Sequence, residues 1–257
     1  MYNHRDHGPE ETEARLLERT LAFRRDAAIE EEESLKAFRR KWEDRGEVKL
    51  LSELPSCPFL GFVTVEKQGD RPGKVGCLVH PLQNGGIDGR DCGVYDRFIC
   101  EEYLCAAHEV LREGEMDLVI AAVQDSYLYG LVITNPRYVR SLLEILAERT
   151  GSAPTRRLLE NEEVIAAVGQ CFELLRRWPL RGRDGIFGAV EVVGGLETRR
   201  RASPWELFGL KRTKVDQLLL ALGTTVKSRE EWVDARGRLE RHLGRLVSTV
   251  ERVREGG

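Results

Sequence analysis

The 257-residue chain has no apolar run approaching the roughly 18 residues that a membrane span requires, and the segment after Met1 lacks the hydrophobic stretch of a secretory signal. A cytoplasmic protein without membrane association is the expectation. Charge of one sign is not in excess: 40 basic residues face 43 acidic ones, a net charge of -3, so no global field draws the chain onto nucleic acid or anionic lipid. The glycine-rich run Asn84–Asp91 lacks the spacing and the lysine of a phosphate-binding loop. No histidine or serine is placed to complete a nucleophile set around Asp88, Asp91 or Asp96. Glycine and proline are absent from residue 10 to residue 44, which excludes the usual helix breakers there.

What is present in quantity is cysteine. Five of six, Cys57, Cys77, Cys92, Cys100 and Cys105, fall in one stretch, and only Cys171 stands apart, beside apolar residues that suit a core helix. Disulfides rarely persist in a reducing cytosol, whereas metal-bound thiolates do. Proline and glycine flank two of the cysteines, in Cys57-Pro58-Phe59-Leu60 and Gly76-Cys77-Leu78-Val79-His80. Such neighbours fix turns in which backbone N–H groups point at a thiolate. Soft sulfur donors favour zinc, copper(I) or iron-sulfur clusters over calcium or magnesium.

Spacing constrains the geometry. Residues 59–65 and 75–79 read as short strands joined by a turn at Gly69-Asp70-Arg71-Pro72-Gly73. In a regular hairpin Cys77 falls opposite Leu60 to Phe62, so Cys57 meets it only if the chain bends back after Cys57. Cys100 and Cys105 lie roughly 140° apart on a continuous helix. Cys100 must therefore precede the helix expected from Glu101 to Gly114, or at least its second turn, for both to reach one ion.

Cys57 to Leu60, Cys77 to His80, Arg90 in the following loop, and Cys100 with Cys105 together resemble the zinc- or iron-chelating cysteine-cluster family of small bacterial proteins. The resemblance covers about fifty residues. The chain differs in having no cysteine before Cys57, where those proteins carry a further group, and in a longer Cys57–Cys77 spacing. What it implies is a metal site rather than a reaction. The expected ligands are Cys57, Cys77, Cys100 and Cys105, a four-thiolate set suited to tetrahedral zinc or to a four-iron cluster, with Cys92 and His80 in reserve.

Long amphipathic helices are expected at both ends. Ala14, Leu17, Leu21, Ala28, Leu35, Phe38 and Trp42 fit a heptad seam over residues 10–44, interrupted by Arg24 and Glu31. Trp232, Leu239, Leu243, Leu246, Val250 and Val253 form a second seam, started by a capping box at Ser228-Arg229-Glu230-Glu231. Helices are also expected over 136–149, 156–178 and 205–222, a period-ambiguous and more weakly helical segment over 117–134, and a strand over 186–193. The fold class is α+β, mainly α, divided into an N-terminal helical arm (1–50), a cysteine-rich module (51–114) and a helical domain (115–257).

The leading expectation is a non-enzymatic zinc or iron-sulfur protein with a structural, sensing or interaction role. The terminal seams offer surfaces for a homodimer or a partner protein. An iron-sulfur redox enzyme or electron carrier is the second reading. A nucleic-acid-binding regulator, resting on the basic stretch from Arg176 to Lys214 with Trp178 and Trp205, is the third.

Overall fold

The computed structural model describes residues 8–43, 48–64, 73–182 and 190–256. The fold is α+β and mainly α, and its described residues cluster into two units. The first takes Met1–Leu104 with Asp125–Tyr127 and Gly194–Glu197; the second takes Cys105–Gln124, Leu128–Val193 and Thr198–Gly257. The N-terminal arm and most of the cysteine-rich module thus share one unit, with the boundary at Leu104 rather than after residue 114.

In the first unit, the expected single N-terminal helix is two: α1 (Pro9–Asp26) and α2 (Glu32–Trp42). The charges explain the break. Arg24 and Arg25 occupy the last turn of α1, and Glu32 and Glu33 the first turn of α2, each favourable to its helix dipole. The Ser34 hydroxyl accepts the Ala28 N–H at 3.0 Å and tightens the connection.

The face of α1 that packs inward is not the one the expected seam follows. Ala14, Leu17 and Leu21 are exposed, while Thr12, Leu16, Thr20 and Phe23 are buried. The reason lies in the strand that α1 covers, whose backbone needs polar partners. Strands β1 (Leu60–Phe62) and β2 (Val75–Cys77) pair antiparallel, with Leu60 opposite Cys77 as the spacing required. The Phe62 N–H donates to Thr20 Oγ1 at 2.7 Å, and Arg19 donates to the carbonyls of Leu60 and Cys57 at 3.2 and 3.4 Å. Gly61 permits this approach: a Cβ there would stand 2.5 Å from Thr20 Oγ1 and 2.8 Å from Leu78 Cδ1. Most of the connecting turn, Gly69 to Pro72, lies outside the described residues.

Phe23, Phe38, Trp42 and Phe59 form the centre of the first unit's core. Phe38 stacks on Trp42 and Phe59 with centroids 5.7 and 5.9 Å apart, and Phe23 meets Phe38 edge-on at 5.3 Å. Each such pair contributes about 0.5–1.5 kcal/mol beyond its buried area.

The helix expected from Glu101 to Gly114 is divided as well. α3 (Arg97–Glu102) is capped by Asp96, and α4 (Ala106–Val110) starts after Cys105 at its N-cap. α5 (Glu113–Ala122) and α6 (Ser126–Ile133) follow, then α7 (Pro136–Arg149), whose bounds match the sequence reading. The helix expected over 156–178 is cut by Asn161, whose side chain accepts the N–H groups of Glu163 and Val164. The pieces are α8 (Arg156–Leu159), α9 (Glu162–Phe172) and α10 (Leu174–Arg177). Strands β3 (Val190–Gly194) and β4 (Glu197–Arg200) form a second ribbon; the expected strand's first residues, 186–189, lie outside the description. The segment 205–222 holds α11 (Pro204–Leu207) and α12 (Lys214–Ala221). The last helix, α13 (Arg229–Glu255), is capped by Ser228 as expected.

In the second unit, α13 buries Trp232, Leu239, Leu243, Leu246 and Val250 against α9, α12 and α7. Its seam is thus a core-facing stripe. Asp216, fully buried at the start of α12, joins two helices: it accepts from Thr213 N at 2.6 Å, Trp232 Nε1 at 3.1 Å and Arg236 Nε at 2.6 Å. Removing one partner from a buried, hydrogen-bonded ion pair costs about 3–5 kcal/mol. Asp216→Ala is therefore expected to destabilise the protein by that amount in urea unfolding followed by circular dichroism. A loss under 1 kcal/mol would contradict this role.

Candidate metal centre

Cys57 and Cys77 sit in turns of the same construction. In each, the N–H three residues on closes onto the cysteine carbonyl: Leu60 N to Cys57 O and His80 N to Cys77 O, both at 3.3 Å. In each, the N–H two residues on faces the sulfur, from Phe59 to Cys57 and from Val79 to Cys77. The residue donating that N–H is in both cases a core residue, with Phe59 0% and Val79 1% exposed. A buried side chain thus fixes the amide that points at the thiol. Leu78 N donates to Phe59 O at 2.8 Å and joins the two turns. The bend after Cys57 that the sequence reading required is present.

Two further segments complete the surroundings. The Val94 N–H also faces Cys57, and Tyr95 donates to Pro55 O at 2.6 Å, holding the 93–95 segment beside that turn. Arg39 of α2 donates to Gly93 O at 2.5 Å. Cys100 is the fourth residue of α3 and is exposed. It is helical, contrary to the stricter form of the expectation, but α3 is short and ends before Cys105, so no continuous helix holds the two sulfurs apart.

Burial, the leading influence on all three, pushes the thiols of Cys57, Cys77 and Cys100 up, Cys77 from its ordinary 9.0 to about 11. The N–H groups oppose this at Cys57 and Cys77. Cys57 and Cys100 both act on Cys77, and Cys100 acts on Cys57, so the three sulfurs are electrostatic neighbours. Without a cation, the three are therefore favoured as neutral thiols. Among the described residues no group of three or more His, Cys, Asp or Glu side chains is set closely enough to enclose an ion.

The other expected donors lie elsewhere. Cys92 is buried in the aromatic core, its Sγ 4.0 Å from Glu32 O, and its charged neighbours are Glu32, Lys36, Asp91 and Glu33. His80 uses Nδ1 to accept the Leu82 N–H at 3.2 Å, capping the short 3-10 turn Pro81–Gln83. Cys105 is exposed and belongs to the second unit. Cys171 is buried among α9 and α13 residues, as expected. Arg19, Thr20 and Tyr95 were absent from the sequence reading; each acts through a backbone atom, which residue identity does not disclose.

The aromatic half of the expected nucleic-acid surface is not available for stacking. Trp178 is buried and donates to Thr224 Oγ1 at 2.8 Å, and Trp205 is buried with Arg212 over its ring. Arg176 and Arg177 pair with Glu173, Arg199 with Glu191, and Lys214 with Glu148; Arg183 lies outside the described residues. Among the described residues no helix is long and apolar enough to cross a membrane. The chain matches no protein-family model, no curated protein and no solved structure.

The raised thiols give a pH signature. A group whose folded pKa exceeds its unfolded value contributes stability in full below the unfolded value, and that contribution is lost as pH rises through the folded one. The contribution of Cys77 to the melting temperature of metal-free protein is therefore expected to be constant up to about pH 9, its ordinary value, and to fall from there towards pH 11. Cys77→Ala should flatten that fall. Melting curves in chelator with an unchanged slope for the variant would contradict the assignment.

Proposed function

We propose that the first unit carries a thiolate-bound metal, zinc or an iron-sulfur cluster, which fixes the cysteine turns in place. The carrying observation is the pair of like turns at Cys57 and Cys77, each with a core-anchored amide aimed at its sulfur and Cys100 within electrostatic range. Amides on sulfur are what a thiolate ligand needs, since they offset its charge and hold its direction. Cys57, Cys77 and Cys100 would supply three sulfurs. Cys105, the fourth ligand expected from the sequence, lies in the second unit.

Four thiolates leave zinc no open position for substrate, so the role that fits is structural, sensing or interaction rather than hydrolysis. Thiol ligands must lose their protons to bind, so uptake releases protons and weakens as pH falls. An iron-sulfur redox centre is the second reading, supported by the same sulfur set. The cytoplasmic setting fits reduced thiols and belongs to this proposal.

Anaerobic purification followed by metal analysis and a visible spectrum tests it. The expected result is about one equivalent of colourless zinc, or a brown protein containing iron and sulfide. Cys57→Ser, Cys77→Ser and Cys100→Ser should each lower metal content, while Cys171→Ser should leave it unchanged. Retention of full metal by all three variants would rule the centre out, as would its absence from the parent protein.

A further inference from the structure

Arg90 is the one arginine among the buried residues of the described chain, 9% exposed. It lies in a 3-10 turn, Arg90–Cys92, that follows the Cys77 turn. The turn is clipped to β2's exit by Gly89 N donating to Val79 O at 3.1 Å, so it is tied to the residue whose own N–H faces the Cys77 sulfur. Gly89 makes the clip possible, because a Cβ there would meet Leu35 Cδ1 at 2.8 Å and Val79 Cβ at 3.0 Å.

The guanidinium then reaches in two directions. Nε and Nη2 make a fork onto Asp88 at 2.9 and 2.6 Å, which sets the orientation of the head group. Nη2 also donates to Glu101 Oε1 at 2.8 Å. Glu101 is the residue next to Cys100 on α3. The same carboxylate oxygen accepts Arg97 Nε at 2.9 Å, and Arg97 lies 3.4 Å from Asp88, so the link is a closed ring of charges. Asp96 caps α3 by accepting the Phe98 N–H at 2.7 Å, and Arg97 also pairs with Asp91 at 3.6 Å, so the Arg90–Glu101 bond is the buried member of several links between α3 and the loop that leaves the Cys77 turn.

We propose that Arg90 is a positioning residue for the metal centre: its planar fork, locked by Asp88, holds Glu101 and so places Cys100 relative to Cys77. This role rests on the thiolate-centre reading above. The requirement is geometric, because the point charge and flexible stem of a lysine cannot serve Asp88 and Glu101 with the same fixed head. Outer partners that orient ligands typically account for 10–100-fold in metal affinity.

The test compares the full-length parent with Arg90→Lys, Arg90→Gln and Glu101→Gln, using zinc competition against a chromophoric chelator and the sulfur-to-metal charge-transfer band with cobalt(II). The expected result is a zinc affinity about 10–100-fold lower in all three. Lysine should not rescue it, and the cobalt band should weaken as one thiolate leaves the coordination shell. Glu101→Gln changes only a partly exposed side chain, which keeps the test open if the Arg90 variants fail to fold. A parent that binds tightly beside Arg90→Lys and Glu101→Gln variants that bind equally, with unchanged cobalt bands, overturns the role of Arg90 alone. Rescue by lysine overturns the geometric requirement. A parent that takes up no metal overturns the centre, and this role with it.

Discussion

The amides of Phe59 and Val79 point at the sulfurs of Cys57 and Cys77, while the side chains of the same two residues are buried in one aromatic and aliphatic core. The direction of each N–H is thereby set by packing rather than by the loop. Packed interiors resist displacement because side chains interdigitate near crystal density. The rest of the first unit reinforces this arrangement. α1 brings Thr20 and Arg19 to satisfy the strand backbone, α2 supplies Phe38 and Trp42 to the core, and Arg39 holds Gly93 next to the amide of Val94.

Two effects compete at these sulfurs. Burial favours the neutral thiol, and at Cys77 it outweighs the amide and the nearby Arg90, leaving the group near 11. A bound cation reverses the balance, since it is the largest charge in its site and takes the thiolate outright. On the proposed reading, the arrangement would be inert when empty and strongly coupled to metal when filled. Such coupling suits a centre that holds structure or reports metal state, and the proposed role of Arg90 adds the element that brings Cys100 to the other two.

Much of the site's local geometry was legible in the sequence, because proline, glycine and strand spacing are short-range signals. Counting residues put Cys77 opposite Leu60 to Phe62, a range that holds the observed Leu60 pairing, and made a bend after Cys57 the condition for the two cysteines to meet. The α1 face did not, since Leu17 and Leu21 promise burial by type, whereas Thr12 and Thr20 are buried through the needs of a strand that is distant in sequence. The break between α1 and α2 was visible in principle: a basic last turn followed by an acidic run is the charge pattern of one helix ending and another beginning. The caps at Asn161 and Asp96 were likewise present as residue types but were outweighed by continuous apolar periodicity. Arg90 stood in the sequence as a loop residue, and its partner Glu101 becomes evident only when α3 is placed. Trp178 and Trp205 show the opposite error, since aromatic residues among arginines suggest a stacking surface until burial assigns them to the core.

On the proposed reading, sulfur is the ligand. X-ray absorption at the metal edge of protein purified without added metal tests that most directly. For zinc, the prediction is a first shell of three to four sulfurs at about 2.3 Å that loses a sulfur in Cys77→Ser. A shell of only nitrogen or oxygen atoms, or a sulfur shell unaltered in that variant, would contradict it.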